Sequence, residues 1–370
     1  MHLDRRLFLF ALGSTALGAP LAHAEKKPIY TGKKLGLAMV GLGRYATDQV
    51  GVGLEQSDYW QVRGIVTGSP QKIPAWQKKW QIKDKNIFNY SNFDEIAKAR
   101  DIDAVYICLP NSMHAEFTLR AAQAGKHVIV EKPMATSVAE AQQMIAACQK
   151  AGVKLAVGYR LHFDPMHQQI MTFARERTFG KVQTLNAMFS IDVGEPGQWR
   201  LKKALSGGGP LVDVGIYCVQ AARYATGEEP LAVTAQFGPI TDPVKFNEVE
   251  ESLTWQMRFP SGAYMTGLTG YKNYLDQLYI AAEKTSYKLE PAFSYGPLLG
   301  EVRKSSERVL QFAHEHHQHR QMEALGELFL KPGPMPDHIS GLEGLKDVRI
   351  LSAIYEAATT GKQVQLPSTG

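Results

Sequence analysis

Leu35-Gly36-Leu37-Ala38-Met39-Val40 runs directly into Gly41-Leu42-Gly43-Arg44-Tyr45-Ala46. A short, continuous apolar run reads as a strand buried on both faces of a parallel sheet. The G-x-G-x-x-A that follows is a strand-to-helix turn: Gly41 for the tight bend, Gly43 for close approach of backbone to a pyrophosphate, Ala46 for tight helix packing. The helix that begins there offers unpaired N–H groups and a positive dipole end to phosphate. Further apolar runs at Val62 to Thr67, Asp103 to Leu109, His127 to Val130 and Lys154 to Gly158 alternate with helical patterns at Asn92 to Ala99, His114 to Ala124 and Ser137 to Ala151. Strands alternating with helices predict an α/β domain, a parallel Rossmann sheet with right-handed crossovers.

Past Gly158 the rhythm changes. Val182 to Phe189 and Leu253 to Phe259 are longer and alternate apolar with polar, as strands of a one-side-covered antiparallel sheet do. The expected organisation is a Rossmann domain over 25–158 and a substrate-binding and oligomerisation domain over 159–370. Residues 1–24 stand apart. Arg5-Arg6, the run Leu7 to Leu12 and an ending at Ala22-His23-Ala24 predict an export signal of the twin-arginine type, cleaved after Ala24, and hence a periplasmic protein. No other segment is apolar enough to span a bilayer, so no membrane anchor is expected in the mature form.

Composition narrows the function classes. Over 370 residues, 44% hydrophobic and 21% charged is a globular balance that excludes a disordered chain. The net charge of +5, from 41 basic and 36 acidic residues, is too small and dispersed to argue for nucleic acid. Three cysteines, Cys108, Cys148 and Cys218, are too few and too far apart for a disulfide framework or a cysteine zinc site. His314-Glu315-His316-His317-Gln318-His319 misses the H-E-x-x-H pattern at Gln318, so these histidines are expected to face solvent rather than a metal.

The end of the second strand speaks to the choice of dinucleotide. An NAD site places Asp or Glu there for the ribose hydroxyls. This chain has Thr67-Gly68-Ser69 with Lys72 soon after, and no carboxylate from Tyr59 to Lys83. Hydroxyls and a cation suit a 2′-phosphate, so NADP(H) is the expected cofactor. Arg44 is placed to stack on the adenine or to pair with the same phosphate.

Two further strand ends point to a reacting centre, since open α/β sheets bind ligands outside their strand carboxyl ends. Leu109-Pro110-Asn111-Ser112 leads to His114, and Glu131-Lys132-Pro133 ends the next strand. Farther on, Asp213 and Tyr217 are four apart, which on a helix puts both on one face. A lysine ammonium beside a phenol favours the phenolate. Taken singly, each residue has a plain structural reading as surface lysine, helix carboxylate or packed tyrosine.

Together, Gly41 to Ala46, Leu109 to Glu116, Gly125-Lys126-His127-Val128-Ile129-Val130-Glu131-Lys132-Pro133-Met134-Ala135 and Gly158-Tyr159-Arg160-Leu161-His162-Phe163-Asp164-Pro165 resemble the Gfo/Idh/MocA family. The likeness runs from about Ile29 through Leu345 to Ala358. Tyr90 to Asp94, Gln198-Trp199-Arg200 and Trp255 to Phe259 are more specific, and resemble its glucose-fructose and aldose-aldose oxidoreductase branch. The resemblance implies a large, open, mostly antiparallel sheet in the second domain. It implies that Lys132, Asp213 and Tyr217 are catalytic and line a sugar site, with Tyr159 and His162 as further sugar contacts. It places Tyr45, Tyr90, Leu109, Pro110, Asn111, His114, Glu131, Lys132, Arg160, Trp199 and Arg200 on the cofactor side with the glycine turn, Thr67, Gly68, Ser69 and Lys72.

The activity implied is oxidation of an aldose at C1 to an aldonolactone, with the hydride passed through tightly bound NADP(H) to a second sugar. The alternatives are an aldose dehydrogenase whose NADP dissociates, chemistry through transient oxidation, and a non-catalytic sugar sensor. The branch's long proline-rich N-terminal arm is not matched, since Glu25 to Lys34 holds one proline, Pro28. A homodimer through the open sheet is therefore the expected assembly, with small-molecule sugars as partners.

Overall fold

The structure, a computed structural model, describes residues 30–303, 309, 310, 312 and 314–367. The export signal expected over 1–24 lies outside the described residues. Six strands make the first sheet: β1 (Leu35–Val40), β2 (Trp60–Val66), β3 (Ile87–Phe88), β4 (Ala104–Ile107), β5 (His127–Val130) and β6 (Leu155–Val157). Their order is β3-β2-β1-β4-β5-β6, and every neighbouring pair is parallel. The order reverses between β1 and β4, the switch point where a doubly wound sheet opens a crevice for a dinucleotide. Apolar side chains from both faces of these strands enter two separate clusters beneath the covering helices, which is why the runs are continuous rather than alternating.

Local chemistry sets the helix ends. Ser137 caps the helix Val138–Ala151 by accepting from Glu140 N at 3.2 Å, while the Glu140 carboxylate returns to the Thr136 N–H at 3.0 Å. The first turn of a helix otherwise carries N–H donors with no intrahelical partner; the Ser137 hydroxyl satisfies one of them, and the Glu140 carboxylate fixes the chain just ahead of the cap. The stretch expected to be helical at Asn92 to Ala99 forms a 3-10 segment, Phe93–Lys98, instead. Phe93 and Ile96, three apart, are its two fully buried residues, a spacing that eclipses on a three-residue turn.

The second sheet has nine strands: β7 (Val182–Asp192), β8 (Ala232–Phe237), β9 (Ser252–Arg258), β10 (Tyr264–Gly270), β11 (Lys272–Ala282), β12 (Ser286–Leu289), β13 (Gly300–Val302), β14 (Val309–Leu310) and β15 (Val364–Gln365). The order is β14-β13-β12-β11-β7-β10-β9-β8-β15, antiparallel throughout except for the β7–β10 pair. Alternating residues of β9, Leu253, Trp255 and Met257, are buried with the helices Pro165–Glu176, Ile216–Thr226 and Gly341–Thr360. The opposite face carries Tyr264 exposed, paired with Arg258 of β9.

The chain does not stay in the second unit after it arrives there. The helix His317–Leu330 crosses back, placing Met322, Leu325 and Phe329 in one core with Leu54, Trp60 and Val62. Trp60 Nε1 donates to the Met322 carbonyl at 2.7 Å, and Glu323 accepts from Asp58 N at 3.1 Å. The helix Gly341–Thr360 spans both units, with Leu345 in a core of the first and Ile350 and Ile354 in that of the second. Among the described residues no helix is long and apolar enough to cross a membrane.

Candidate active site

The glycine turn at the end of β1 is shaped by two different constraints. Gly41 has φ +90°, and a Cβ there would lie 2.5 Å from the Cys108 carbonyl, so both backbone angle and space require glycine. At Gly43 an added Cβ would meet nothing within 4 Å, leaving the backbone open to an approaching group. Ala46 is fully buried at the start of a π-type turn, Ala46–Val50, that leads into the helix Gly51–Glu55. Lys72 reaches across from the loop after β2 and donates to the Leu42 carbonyl at 2.8 Å. An ammonium has three donors, so two remain for an anion beside the turn. Arg44 is almost fully exposed, with only a loose 3.9 Å contact to Asp48.

Thr67 differs from expectation. It is buried, and its hydroxyl accepts from Ser69 N at 3.0 Å, so it closes the loop and leaves Ser69 and Lys72 to face outward. Tyr90 packs over Gly68, where a Cβ would fall 2.6 Å from its ring, and edges onto Phe117. An open glycine turn, a cation on its carbonyl and no carboxylate at the end of β2 fit a dinucleotide that carries an extra phosphate.

Several residues expected at the cofactor hold the rim together instead. His114 is fully buried, with Nδ1 2.9 Å from the Pro133 carbonyl and Nε2 3.0 Å from that of Leu109. It thus ties the turn after β4, with Leu109 and Pro110, to the turn after β5. Asn111 donates to the Ser206 carbonyl at 2.8 Å, joining the rim to the second unit. Glu131 turns inward and accepts from the Tyr106 hydroxyl at 2.6 Å, which in turn takes a hydrogen bond from Gln321 at 2.9 Å. Burial pushes the Glu131 carboxyl up, against the Tyr106 hydrogen bond and the Lys132 charge. Tyr45 lies within hydrogen-bond reach of Gln318 at 3.4 Å.

Lys132, Asp213 and Tyr217 do come together. A cis peptide bond joins Lys132 to Pro133 just beyond β5. Lys132 Nζ donates to the Asp213 carbonyl at 2.6 Å and contacts its carboxylate at 3.3 Å, with its ammonium 4.9 Å from the centre of the Tyr217 ring. Asp213 sits in a π-type turn, Leu211–Gly215, and Tyr217 in the first turn of the helix Ile216–Thr226. The other Asp213 oxygen accepts from Arg200 Nε at 2.9 Å and from the Tyr271 hydroxyl at 3.0 Å. Burial would raise this carboxyl, but Arg200, then Lys132 and the Tyr271 hydrogen bond, outweigh it and hold it at about 2. Asp213 is therefore an ionised anchor for two cations at any pH near neutrality. Burial opposes the Lys132 charge, yet Tyr217, Asp213 and Glu131 push its pKa up overall, so it stays an ammonium.

Expectation and structure part on three points. First, the cation at the Tyr217 oxygen is Arg160, whose Nε donates to it at 3.2 Å, whereas Lys132 lies over the ring face. Second, Arg200, stacked 4.6 Å above the Trp199 ring, pairs with Asp213 and so belongs to the reacting centre. Third, Tyr159 and His162 are drawn away from it. The Tyr159 hydroxyl donates to Asp347 at 2.6 Å, and the buried His162 ring stacks between Tyr159 and His338.

Of the histidines at 314–319, His314 is exposed as expected, but the others are drawn into the structure. His317 is 1% exposed and 2.8 Å from Arg160, His316 caps the helix His317–Leu330, and His319 lies 3.0 Å from the Gly53 carbonyl. The cause is the return of that helix onto the first unit. Tyr271, Tyr295 and His317 were not foreseen. Each reaches the centre from an element whose local pattern is that of an ordinary strand end, loop or helix start.

A Rossmann sheet with an ionised carboxylate, three cations and a phenol gathered past the end of β5 defines a two-domain dinucleotide-dependent oxidoreductase. Residues 35–159 match the oxidoreductase family with NAD-binding Rossmann fold, and residues 167–287 match the GFO/IDH/MocA C-terminal domain. The chain belongs to the Gfo/Idh/MocA family and is an NAD(P)-dependent sugar oxidoreductase of it. It is similar to the aldose-aldose oxidoreductase of Caulobacter crescentus, solved with glycerol, at 38% identity and a TM-score of 0.87, over 90% of this chain and all of that one. It is 27% identical to D-xylose 1-dehydrogenase [NADP(+)] of Haloarcula marismortui, over 89% of this chain and 92% of the relative. To D-glucoside 3-dehydrogenase of Escherichia coli K12 it is 30% identical, over 71% of this chain and 79% of the relative.

Proposed function

We propose that the protein oxidises an aldose at C1 to its aldonolactone and returns the hydride, through NADP(H) retained between the two half-reactions, to a second sugar to give an alditol. The observation that carries this reading is the convergence of Tyr217 with Lys132 and Asp213 at the end of β5, beside the glycine turn of β1. The 38% identity to an aldose-aldose oxidoreductase supports the same reading. The bound nicotinamide supplies a hydride acceptor in the first half-reaction and a hydride donor in the second.

The chain's own residues handle the proton and the geometry. The Tyr217 oxygen is the proton carrier: it takes the proton of the anomeric hydroxyl as the C1–H bond breaks, and gives that proton to the second sugar's carbonyl oxygen on the return. Lys132 holds the sugar oxygen by a charge-assisted hydrogen bond. Asp213 fixes the Lys132 and Arg200 cations so that neither must reorganise during the reaction. Each turnover leaves the enzyme's proton count unchanged. The leader over 1–24 accords with this cycle, because a folded, cofactor-loaded protein exported to the periplasm has no soluble NADP(H) pool to draw on. Exposed Tyr264 on the open sheet supports a homodimer through that face.

The NADP(H) preference has its own test. Lys72→Ala should weaken NADP(H) binding about ten- to hundredfold, the worth of a charged hydrogen bond of roughly 1.5–3 kcal/mol, with NAD(H) binding little changed. Titration of nucleotide-stripped protein followed by nicotinamide fluorescence checks it. An equal loss for both nucleotides would remove the 2′-phosphate assignment. A second reading, a dehydrogenase whose NADP dissociates each turnover, is favoured by the likeness to D-xylose 1-dehydrogenase [NADP(+)].

A further inference from the structure

We infer that Arg160 is the cation that holds the Tyr217 oxygen, and that Asp164 and His317 are positioning residues that aim it. The inference rests on the proposed role of Tyr217 as the proton carrier. Arg160 is 2% exposed and committed on every side. Its Nε donates to Tyr217 at 3.2 Å, one terminal nitrogen lies 2.8 Å from His317 Nδ1 and 3.3 Å from the Ser294 carbonyl, and the other donates to the Phe293 carbonyl. The guanidinium is stacked between two rings, 4.8 Å from that of Tyr217 and 4.6 Å from that of Tyr295. The two cations therefore divide the work, Lys132 holding Asp213 and Arg160 holding the phenol oxygen. Arg160 Nε–H thus occupies one lone pair of that oxygen and leaves the rest of it to face the sugar.

The chain behind Arg160 has a defined polarity. A guanidinium has donors only, so His317 Nδ1 must be the acceptor and its proton sits on Nε2. That Nε2 faces Asp164 Oδ2 at 3.2 Å. The other Asp164 oxygen accepts from Met166 N at 2.9 Å and His167 N at 3.1 Å, capping the helix Pro165–Glu176. Asp164 is thereby anchored to a helix terminus, His317 is locked in one tautomer, and the guanidinium has one orientation. Arg160 and Asp164 come from one turn and its following cap, whereas His317 comes from the returning helix, so assembly of this chain reports docking of that helix. Charged and titratable groups around His317 are Asp164 and His167 from the capped helix, Arg160 from the turn before it, and His314 and His316 ahead of it. Burial, joined by Arg160 against the pull of the nearby Asp164 carboxylate, lowers the His317 pKa and keeps the ring neutral. A protonated His317 would put a hydrogen between Nδ1 and the guanidinium and break the contact.

The test compares His317→Leu, His317→Gln and Arg160→Lys with the parent, reading lactone formation from glucose across pH 5 to 8 alongside bound-nucleotide content. His317→Leu should lower kcat about ten- to hundredfold, with KM changed less than about threefold and nucleotide retained, as expected when a group acts only on the reacting oxygen. His317→Gln keeps an acceptor for Arg160, so it should recover most of that loss and flatten the acid limb of the kcat profile. Should His317→Leu fail to fold, Arg160→Lys decides: a compact ammonium lacks the planar fork whose three nitrogens separately reach Tyr217, His317 and Phe293, so kcat should fall at least about tenfold. Parent-like kcat and an unchanged acid limb in His317→Leu, or parent-like kcat in Arg160→Lys, overturns the inference. Tyr217→Phe run in parallel separates the two claims. If it too is active, the proton-carrier reading has failed; if it alone is inactive, only the positioning chain has.

Discussion

Tyr217→Phe is expected to lower kcat for lactone formation by about 10²–10⁴-fold, the usual worth of a positioned acid–base group. The substitution removes one oxygen and leaves the ring. That ring packs 5.7 Å from Phe189 and 6.5 Å from Phe293, under the Lys132 ammonium, and none of these contacts needs the hydroxyl. Arg160 loses one acceptor but keeps the Phe293 and Ser294 carbonyls and His317. Fold and nucleotide content should therefore survive while both half-reactions stall. Measuring sugar oxidation and sugar reduction separately on the variant checks this, since a proton carrier serves each direction equally. A variant losing only one direction would show that another group carries the proton in the other.

Arg223→Met is expected to destabilise the fold by about 3–5 kcal/mol, the cost of leaving buried charge unpaired. Arg223 is 5% exposed at its side chain and binds three carboxylates: Glu229 at 2.7 Å, Glu343 at 2.7 Å and Asp347 at 2.8 Å. Among the described residues, Lys346, at 3.2 Å from Glu229 and 3.7 Å from Glu343, is the cation that would remain to offset them. The parent cluster is already short of positive charge. Burial raises the Asp347 carboxyl to about 6, with Arg223 pulling down and Glu343 pushing up, while Tyr159 and Gln220 both donate to it. A carboxyl whose folded pKa lies above its unfolded value of about 3.9 favours folding more as pH falls through that interval. Loss of Arg223 removes the group that pulls this carboxyl down, so the variant gains more than the parent on acidification and its deficit should shrink between pH 7 and pH 5. Urea unfolding at both pH values measures it; a loss under about 1 kcal/mol, or one that grows on acidification, would contradict the account.

How much of this was legible in the sequence depends on the range of each interaction. The turn Gly41 to Ala46 and the parallel strands could be read because backbone angle, close packing and burial on two faces constrain neighbouring residues. β1 and β5 fall on the expected residues, and β2, β4 and β6 fall within two of them at each end. Lys132, Asp213 and Tyr217 were found through a resemblance, since a spacing of four says nothing of a lysine 81 positions earlier. What stayed hidden depends on chain return. No local pattern announces that the helix His317–Leu330 crosses back to the first unit, and with it went the burial of His317. The diversion of Tyr159 to Asp347 was equally invisible, because the partner lies 188 residues away in sequence. Thr67 was read as a phosphate ligand from its residue type; only the 3.0 Å bond from Ser69 N shows the hydroxyl closing its own loop.

The most direct test of the coupled cycle uses purified protein dialysed exhaustively without nucleotide. Its near-ultraviolet absorbance, where reduced nicotinamide is distinguished from oxidised, is recorded before and after glucose, and again after a second sugar. Retained NADP(H) shuttling hydride between sugars predicts a rise with glucose, stoichiometric with protein, that is reversed by the second sugar. No change until NADP is supplied, followed by continuous turnover, would contradict retention and leave a dehydrogenase with a dissociable cofactor.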